Sequence, residues 1–139
     1  MKRKAILLLV CLAAAPLFAQ TTTTTTTTTR TKTRTKVSTT MKTRVYNDAT
    51  RLAALLRDAQ TTITVNPDVW KTVANEANSL ANRLYGATSG NATARKAAKT
   101  VRDEVRQFRD AAMSGDTAAA RDHASTALTS VWELIDWSS

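Results

Sequence analysis

The sequence predicts an all-α protein, an up-down-up-down antiparallel four-helix bundle preceded by a signal peptide and a disordered, threonine-rich basic arm. Three observations predict it. From about residue 41 onward, apolar residues recur at steps of three and four, the period of an amphipathic helix, in four successive stretches. Short punctuations at Asn66-Pro67-Asp68, Gly86 to Gly90 and Ser114 to Asp116 separate them, and short connections make neighbouring helices antiparallel. No strand-like alternation interrupts the four stretches.

The first helix, about 41–63, carries Val45, Ala49, Leu52, Leu56, Ala59 and Ile63 on one seam. The β-branched run Thr61 to Val65 is expected to fray its end and is a candidate hinge, which leaves a three-helix core with a loose first helix as the alternative architecture. Asn66 then stands in a capping position, Pro67 suits the first helical residue and Asp68 complements the positive end of the helix dipole. The second helix, about 67–85, has Trp70, Val73, Ala77, Leu80 and Leu84 as its seam and Gly86 as its stop. The third, about 91–113, follows Ser89 or Asn91 as cap, carries Ala94, Ala98, Val101, Val105, Phe108 and Ala112, and ends at Gly115. Asp116 caps the fourth, about 117–137, with Ala120, Ala124, Leu128, Val131 and Ile135. Such a core is rich in alanine, and Trp70, Tyr85, Phe108, Trp132 and Trp137 are its expected large fillers.

The residues before the bundle divide in two. Lys2, Arg3 and Lys4 precede an apolar stretch from Ala5 to Ala15, too short to cross a bilayer of roughly 30 Å. With the helix-breaking Pro16 and the small Ala19, residues 1–19 read as a secretory signal cut between Ala19 and Gln20. A retained membrane anchor is the alternative; lipoprotein processing at Cys11 is disfavoured by the bulky Val10 before it. Cleavage removes the single cysteine, so the mature chain has neither a disulfide nor a thiolate. Residues 20–40 form the arm: nine threonines, Thr21 to Thr29, then Arg30, Lys32, Arg34 and Lys36 alternating with threonine. Threonine is a poor helix former, and with no large apolar residue before Val37 nothing offsets the entropy of ordering. In an extended chain the four cations share one edge, suited to tracking phosphates or carboxylates; the same charges equally serve to keep a plain spacer extended.

The formal charge of +9 is unevenly placed. Of 20 Lys and Arg, three lie in the signal and six in residues 20–44 (Arg30, Lys32, Arg34, Lys36, Lys42, Arg44), so the remaining eleven match the eleven acidic residues, all of which lie beyond residue 44. A globular part without net charge argues against specific nucleic-acid binding.

Chemistry-bearing constellations are few. His123 is the only histidine, and one histidine without cysteine makes no three-ligand zinc site; it is expected on a solvated flank. Lys99 with Asp103, Asp103 with Arg106 and Arg106 with Asp110 have spacings of helix-surface ion pairs, and Glu104 is read on the same solvated face. Asn66, Asn75, Asn78 and Asn82 form a polar strip expected to face water. The outline resembles the periplasmic four-helix cytochromes in general architecture, and the resemblance implies a haem site. No Cys-x-x-Cys-His stands here for covalent haem, and Met41 and His123 fall at opposite ends of a bundle, roughly 20 Å apart axially. A di-iron site lacks its Glu-x-x-His pair. No catalytic, cofactor or metal residues are therefore assigned.

The expectation is a non-enzymatic periplasmic or envelope protein, tethered to an anionic polymer or lipid by Arg30, Lys32, Arg34, Lys36, Lys42 and Arg44. The alternative is a bundle that binds a partner or small molecule through the aromatic segment from Trp132 to Trp137, with Trp132, Ile135 and Trp137 as the patch. An enzyme is the third reading, because no nucleophile, base and orienter are visible together.

Overall fold

The computed structural model describes residues 39–139, which form four α-helices and no strand; the signal and most of the arm lie outside the described residues. Helix α1 covers 39–62, α2 Pro67–Ala87, α3 Ala92–Ser114 and α4 Thr117–Ser138.

Local chemistry accounts for the ends. The Thr61 and Thr62 hydroxyls both donate to the Asp58 carbonyl, at 3.0 and 2.8 Å, and compete for the last turn of α1. A turn at 63–65 leads to Pro67 at the start of α2. Asn66 occupies the cap position but makes no side-chain cap hydrogen bond. Gly86 does not stop α2, which runs to Ala87. Instead the Thr88 amide and hydroxyl both donate to the Leu84 carbonyl, and the hydroxyl also reaches Tyr85 O at 3.2 Å, so this fully buried threonine closes the helix. Of the two cap candidates for α3, Asn91 serves, accepting from the Ala94 amide at 2.9 Å. Gly115 ends α3 at φ 81°, a left-handed conformation that disfavours any side chain, and Asp116 accepts from Ala119 N at 3.0 Å to start α4.

Cross-helix contacts establish a ring of antiparallel neighbours. Asp48 meets Arg83 and Thr62 meets Trp70 between α1 and α2; Trp70 meets Phe108 and Tyr85 meets Arg95 between α2 and α3. Glu104 meets His123 between α3 and α4, and Lys42 meets Trp137 between α1 and α4. In every case but Glu104–His123, where Glu104 lies at the middle of α3, the start of one helix lies beside the end of its neighbour. The proximal end of the bundle, where α1 begins, therefore holds the α2–α3 loop and the end of α4, and the distal end holds the other two loops.

The core contains all six seam residues expected on α1, and Leu52, Leu56, Ala59 and Val45 are fully buried. This removes the loose-first-helix alternative: α1 is as deeply packed as the others. Alanine fills much of the remainder, including Ala74, Ala77 and Ala81 on α2 and Ala120, Ala124 and Ala127 on α4, which lets helix axes approach closely. Two seams are rotated from expectation. On α2, Val73 is half-buried while Ala74 and Ala81 are buried; on α4, Leu128 and Ile135 are half-buried while Ala127 and Leu134 are buried. Of the five expected fillers, Trp70 and Phe108 lie in the core as an edge-to-face pair, 6.3 Å between ring centroids. Tyr85 and Trp137 pack on the core's margin, and Trp132 is 43% exposed.

Candidate functional site

The four seams between neighbouring helices differ in what closes them. Between α1 and α2, Arg83 Nη2 lies 2.8 Å from Asp48 Oδ1, Arg51 pairs with Glu76, and the Trp70 indole donates to Thr62 Oγ1 at 3.0 Å. Between α2 and α3, the Tyr85 ring has two guanidinium carbons near it, Arg95 at 4.2 Å and Arg102 at 4.0 Å from its centroid. Between α3 and α4, His123 Nδ1 lies 2.9 Å from Glu104 Oε2, both half-buried. An ionised carboxylate only accepts, so against that partner Nδ1 carries the proton. This pair corrects the expected solvated flank for His123 and solvated face for Glu104. No hydroxyl bonds to His123 among the described residues, and the pair clasps two helices.

The α1–α4 seam is the open one. Among the described residues no ion pair crosses it. Its polar contacts are cations over rings: Lys42 Nζ lies 5.3 Å from the Trp137 centroid, and Arg57 Cζ lies 5.6 Å from that of Trp132. Tyr46, 42% exposed, is one turn from Lys42 on the same stripe of α1. Toward the distal end the seam widens into an open groove of about 380 Å³ lined by Gln60, Ala118, Arg121, Asp122 and Ser125. Hydroxyl, amide, cation and carboxylate line this groove, so it offers hydrogen bonds more than apolar contact.

The residues singled out from sequence are distributed as follows. Arg30, Lys32, Arg34 and Lys36 lie outside the described residues. Lys42 is half-buried by its ring contact, and Arg44 is exposed. Trp132, Ile135 and Trp137 do not form one patch. Trp132 and Trp137 are five residues apart, about 140° around the helix, and Ile135 and Trp137 pack against the core while Trp132 stands exposed toward α1. The structure does bring together Lys42 and Trp137, which the sequence assigned to separate roles. Asn75 and Asn82 face water, and Asn78 is half-buried.

Surface charges on α3 follow the expected spacing only in part. Lys99 Nζ holds Asp103 at 2.8 Å, but the second partner of Asp103 is Arg102, and Asp110 is taken by Arg109 at 2.6 Å instead of Arg106. Hydrogen bonds from Lys99 and Arg102 keep the Asp103 carboxyl below its ordinary range, and the same bond to Asp103 raises the Arg102 guanidinium further. Asp68 is likewise lowered by Lys71.

The His123–Glu104 pair was missed because its members are nineteen positions apart. The hairpin at Gly115-Asp116 made α3 and α4 neighbours, but a symmetric fold-back sets residue 123 opposite about 108, a full turn from Glu104. No cluster of three metal-ligating side chains occurs among the described residues, and no described helix is long and apolar enough to cross a membrane. No protein-family model, curated protein or solved structure matches this chain.

Proposed function

We propose that this is an exported, non-enzymatic bundle of the periplasm or envelope, held at an anionic surface by its basic arm. In this reading residues 1–19 direct export, and the arm that precedes α1 supplies Arg30, Lys32, Arg34 and Lys36, continued by Lys42 and Arg44 in the first turns of α1. The observation that carries it is the partition of charge: four cations and no acid lie between residues 20 and 38, while the 39–139 bundle carries thirteen cations against eleven acids. Charge concentrated on an extended strip acts as a distributed electrostatic tether, which salt screens.

The test uses the mature chain from Gln20. Retention on anionic vesicles or on an anionic wall polymer should fall at least tenfold between low and high salt, and again when Arg30, Lys32, Arg34 and Lys36 are all replaced by Gln. Retention indifferent to ionic strength would sink the proposal. Export is read separately, by the mass of the secreted species, which should begin at Gln20.

The exposed Trp132 beside the open α1–α4 seam favours a second reading, recognition of a partner or small molecule there. Trp132→Ala should then abolish capture while the helical content and melting transition stay unchanged; capture by the variant at native strength would dismiss it.

A further inference from the structure

The bundle's small net charge conceals an axial asymmetry. Divide each helix at its middle, and count Asp103 with its partners Lys99 and Arg102. The proximal half then holds seven cations, from Lys42 and Arg44 through Arg83 to the Arg95–Arg102 run of α3. Against them stand four acids, Asp48, Asp103, Glu133 and Asp136. The distal half holds six cations against seven acids. A helix of 22 residues is roughly 33 Å long, more than three times a Debye length of about 8 Å at physiological salt. Each end therefore presents its own charge, and the distal acids do not cancel the proximal excess.

Four of the proximal cations keep their charge unneutralised by a carboxylate, although Lys42 and Arg95 rest on the Trp137 and Tyr85 rings. Lys42, Arg44, Arg95 and Lys96 enter no ion pair among the described residues, whereas Arg83 and Lys99 are paired. They stand on α1 and α3, diagonal helices of the ring, so with neighbouring axes about 10 Å apart they are separated by roughly 14 Å across the end. The open groove of the α1–α4 seam lies toward the distal end, away from both sets. A small ligand or a single polymer strand meets one set or the other, and a flat charged plane meets both. Tyr46, half out of the surface near Lys42, adds an amphipathic ring of the kind that settles at headgroup level. The exposed non-aromatic apolar residues Val65, Val69 and Met113 are all at the distal end, and the exposed Trp132 lies in the proximal half of α4.

On these grounds we infer that the bundle itself docks, seating its proximal end on an anionic lipid surface through Lys42, Arg44, Arg95 and Lys96, with the Val65–Met113 end turned away. The inference rests on the anionic-surface reading above and adds the lipid, the orientation and the α3 cations to it. Docking is peripheral and electrostatic, because the proximal half exposes cations and two separate rings, Tyr46 and Trp132, and not a continuous apolar face for insertion.

The test compares two variants of the mature chain with equal loss of charge: a proximal set, Lys42, Arg44, Arg95 and Lys96 to Gln, and a distal set, Arg57, Lys71, Arg106 and Arg121 to Gln. Binding is measured on phosphatidylcholine vesicles containing roughly three parts in ten of phosphatidylglycerol, with pure phosphatidylcholine as the neutral control. The proximal set should weaken binding at least tenfold and the distal set less than twofold. Equal losses would overturn the orientation. No loss from the proximal set, with loss when the four arm cations are replaced, would overturn the inference and leave the tether standing. Binding to an anionic polymer but not to the vesicles would overturn the lipid assignment alone. Binding to neither would remove both proposals. Should the quadruple variant fail to fold, Arg44→Glu with Lys96→Glu, both at exposed positions, carries the same comparison.

Discussion

Helix α1 is held on its two sides by different physics. Toward α2 it is joined by a short turn, by two ion pairs in register and by an indole–hydroxyl hydrogen bond from a nearly buried Trp70. Toward α4, with which it shares no loop, it is joined by apolar packing and by two cations resting on rings, one of which, Trp132, stays 43% exposed. The ion pairs themselves decide little. Their side chains are largely solvated, and such pairs contribute about 0 to 1 kcal/mol. What separates the seams is the placement of the large aromatic: buried with its polar atom satisfied on one side, left at the surface on the other. The open seam is thus where surface area can be given to a partner at small cost to the fold.

That contrast is broken most forcefully by removing each tryptophan in turn. Trp70→Ala deletes a core side chain, its edge-to-face contact with Phe108 and the bond to Thr62, and should cost about 3 to 5 kcal/mol, roughly 15 °C or more of melting temperature. Trp132→Ala loses a half-solvated ring and one cation–π contact, and should cost no more than about 1 kcal/mol. Urea unfolding of the two variants measures both. A large loss for Trp132→Ala would mean that its ring closes the seam as structure.

These differences also mark what the sequence made legible. The α1 seam was readable in full because leucine, valine and isoleucine define its face unambiguously. On α4 the face was misjudged because alanine occurs on every side, at 118, 119, 120, 124 and 127, so small residues gave the period no phase. The core settled on Ala127 and Leu134, turning Leu128 and Ile135 to its margin. The α2 stop was misplaced for another reason: Gly86 needs no positive φ there, and the Thr88 hydroxyl closes the helix one turn's reach from Leu84. Side-chain partners across seams were the least legible, since Lys42 with Trp137 and Glu104 with His123 depend on axial register that only the folded loops establish.

The ion pairs sharpen the comparison at smaller scale. Arg83→Ala removes the partner of Asp48, which is the less exposed member of that pair, and should destabilise by about 0.2 to 1 kcal/mol at low salt. High salt should reduce the difference between variant and native chain. The same salt series on Trp132→Ala should show a weaker trend, because most of what that variant loses is packing. Equal salt dependence for the two variants would erase the distinction drawn between the seams.

The smallest expected effect lies away from both seams, on the outer face of α3, and fixes the scale of a surface cluster. Lys99 and Arg102 hold the Asp103 carboxyl below its ordinary range in the folded chain. A carboxylate with a lowered folded pKa contributes stability at pH values above its unfolded pKa, near 4, and that contribution is lost as pH falls through the folded value. Asp103 remains 39% exposed, so solvent screens the cluster and the contribution is a few tenths of a kcal/mol. Asp103→Asn should therefore lower stability slightly at pH 7, with the gap to the native chain closing as the pH falls below about 4. Chemical unfolding across that range measures the gap, and a gap that persists at the lowest pH would assign the loss to helix packing and not to charge.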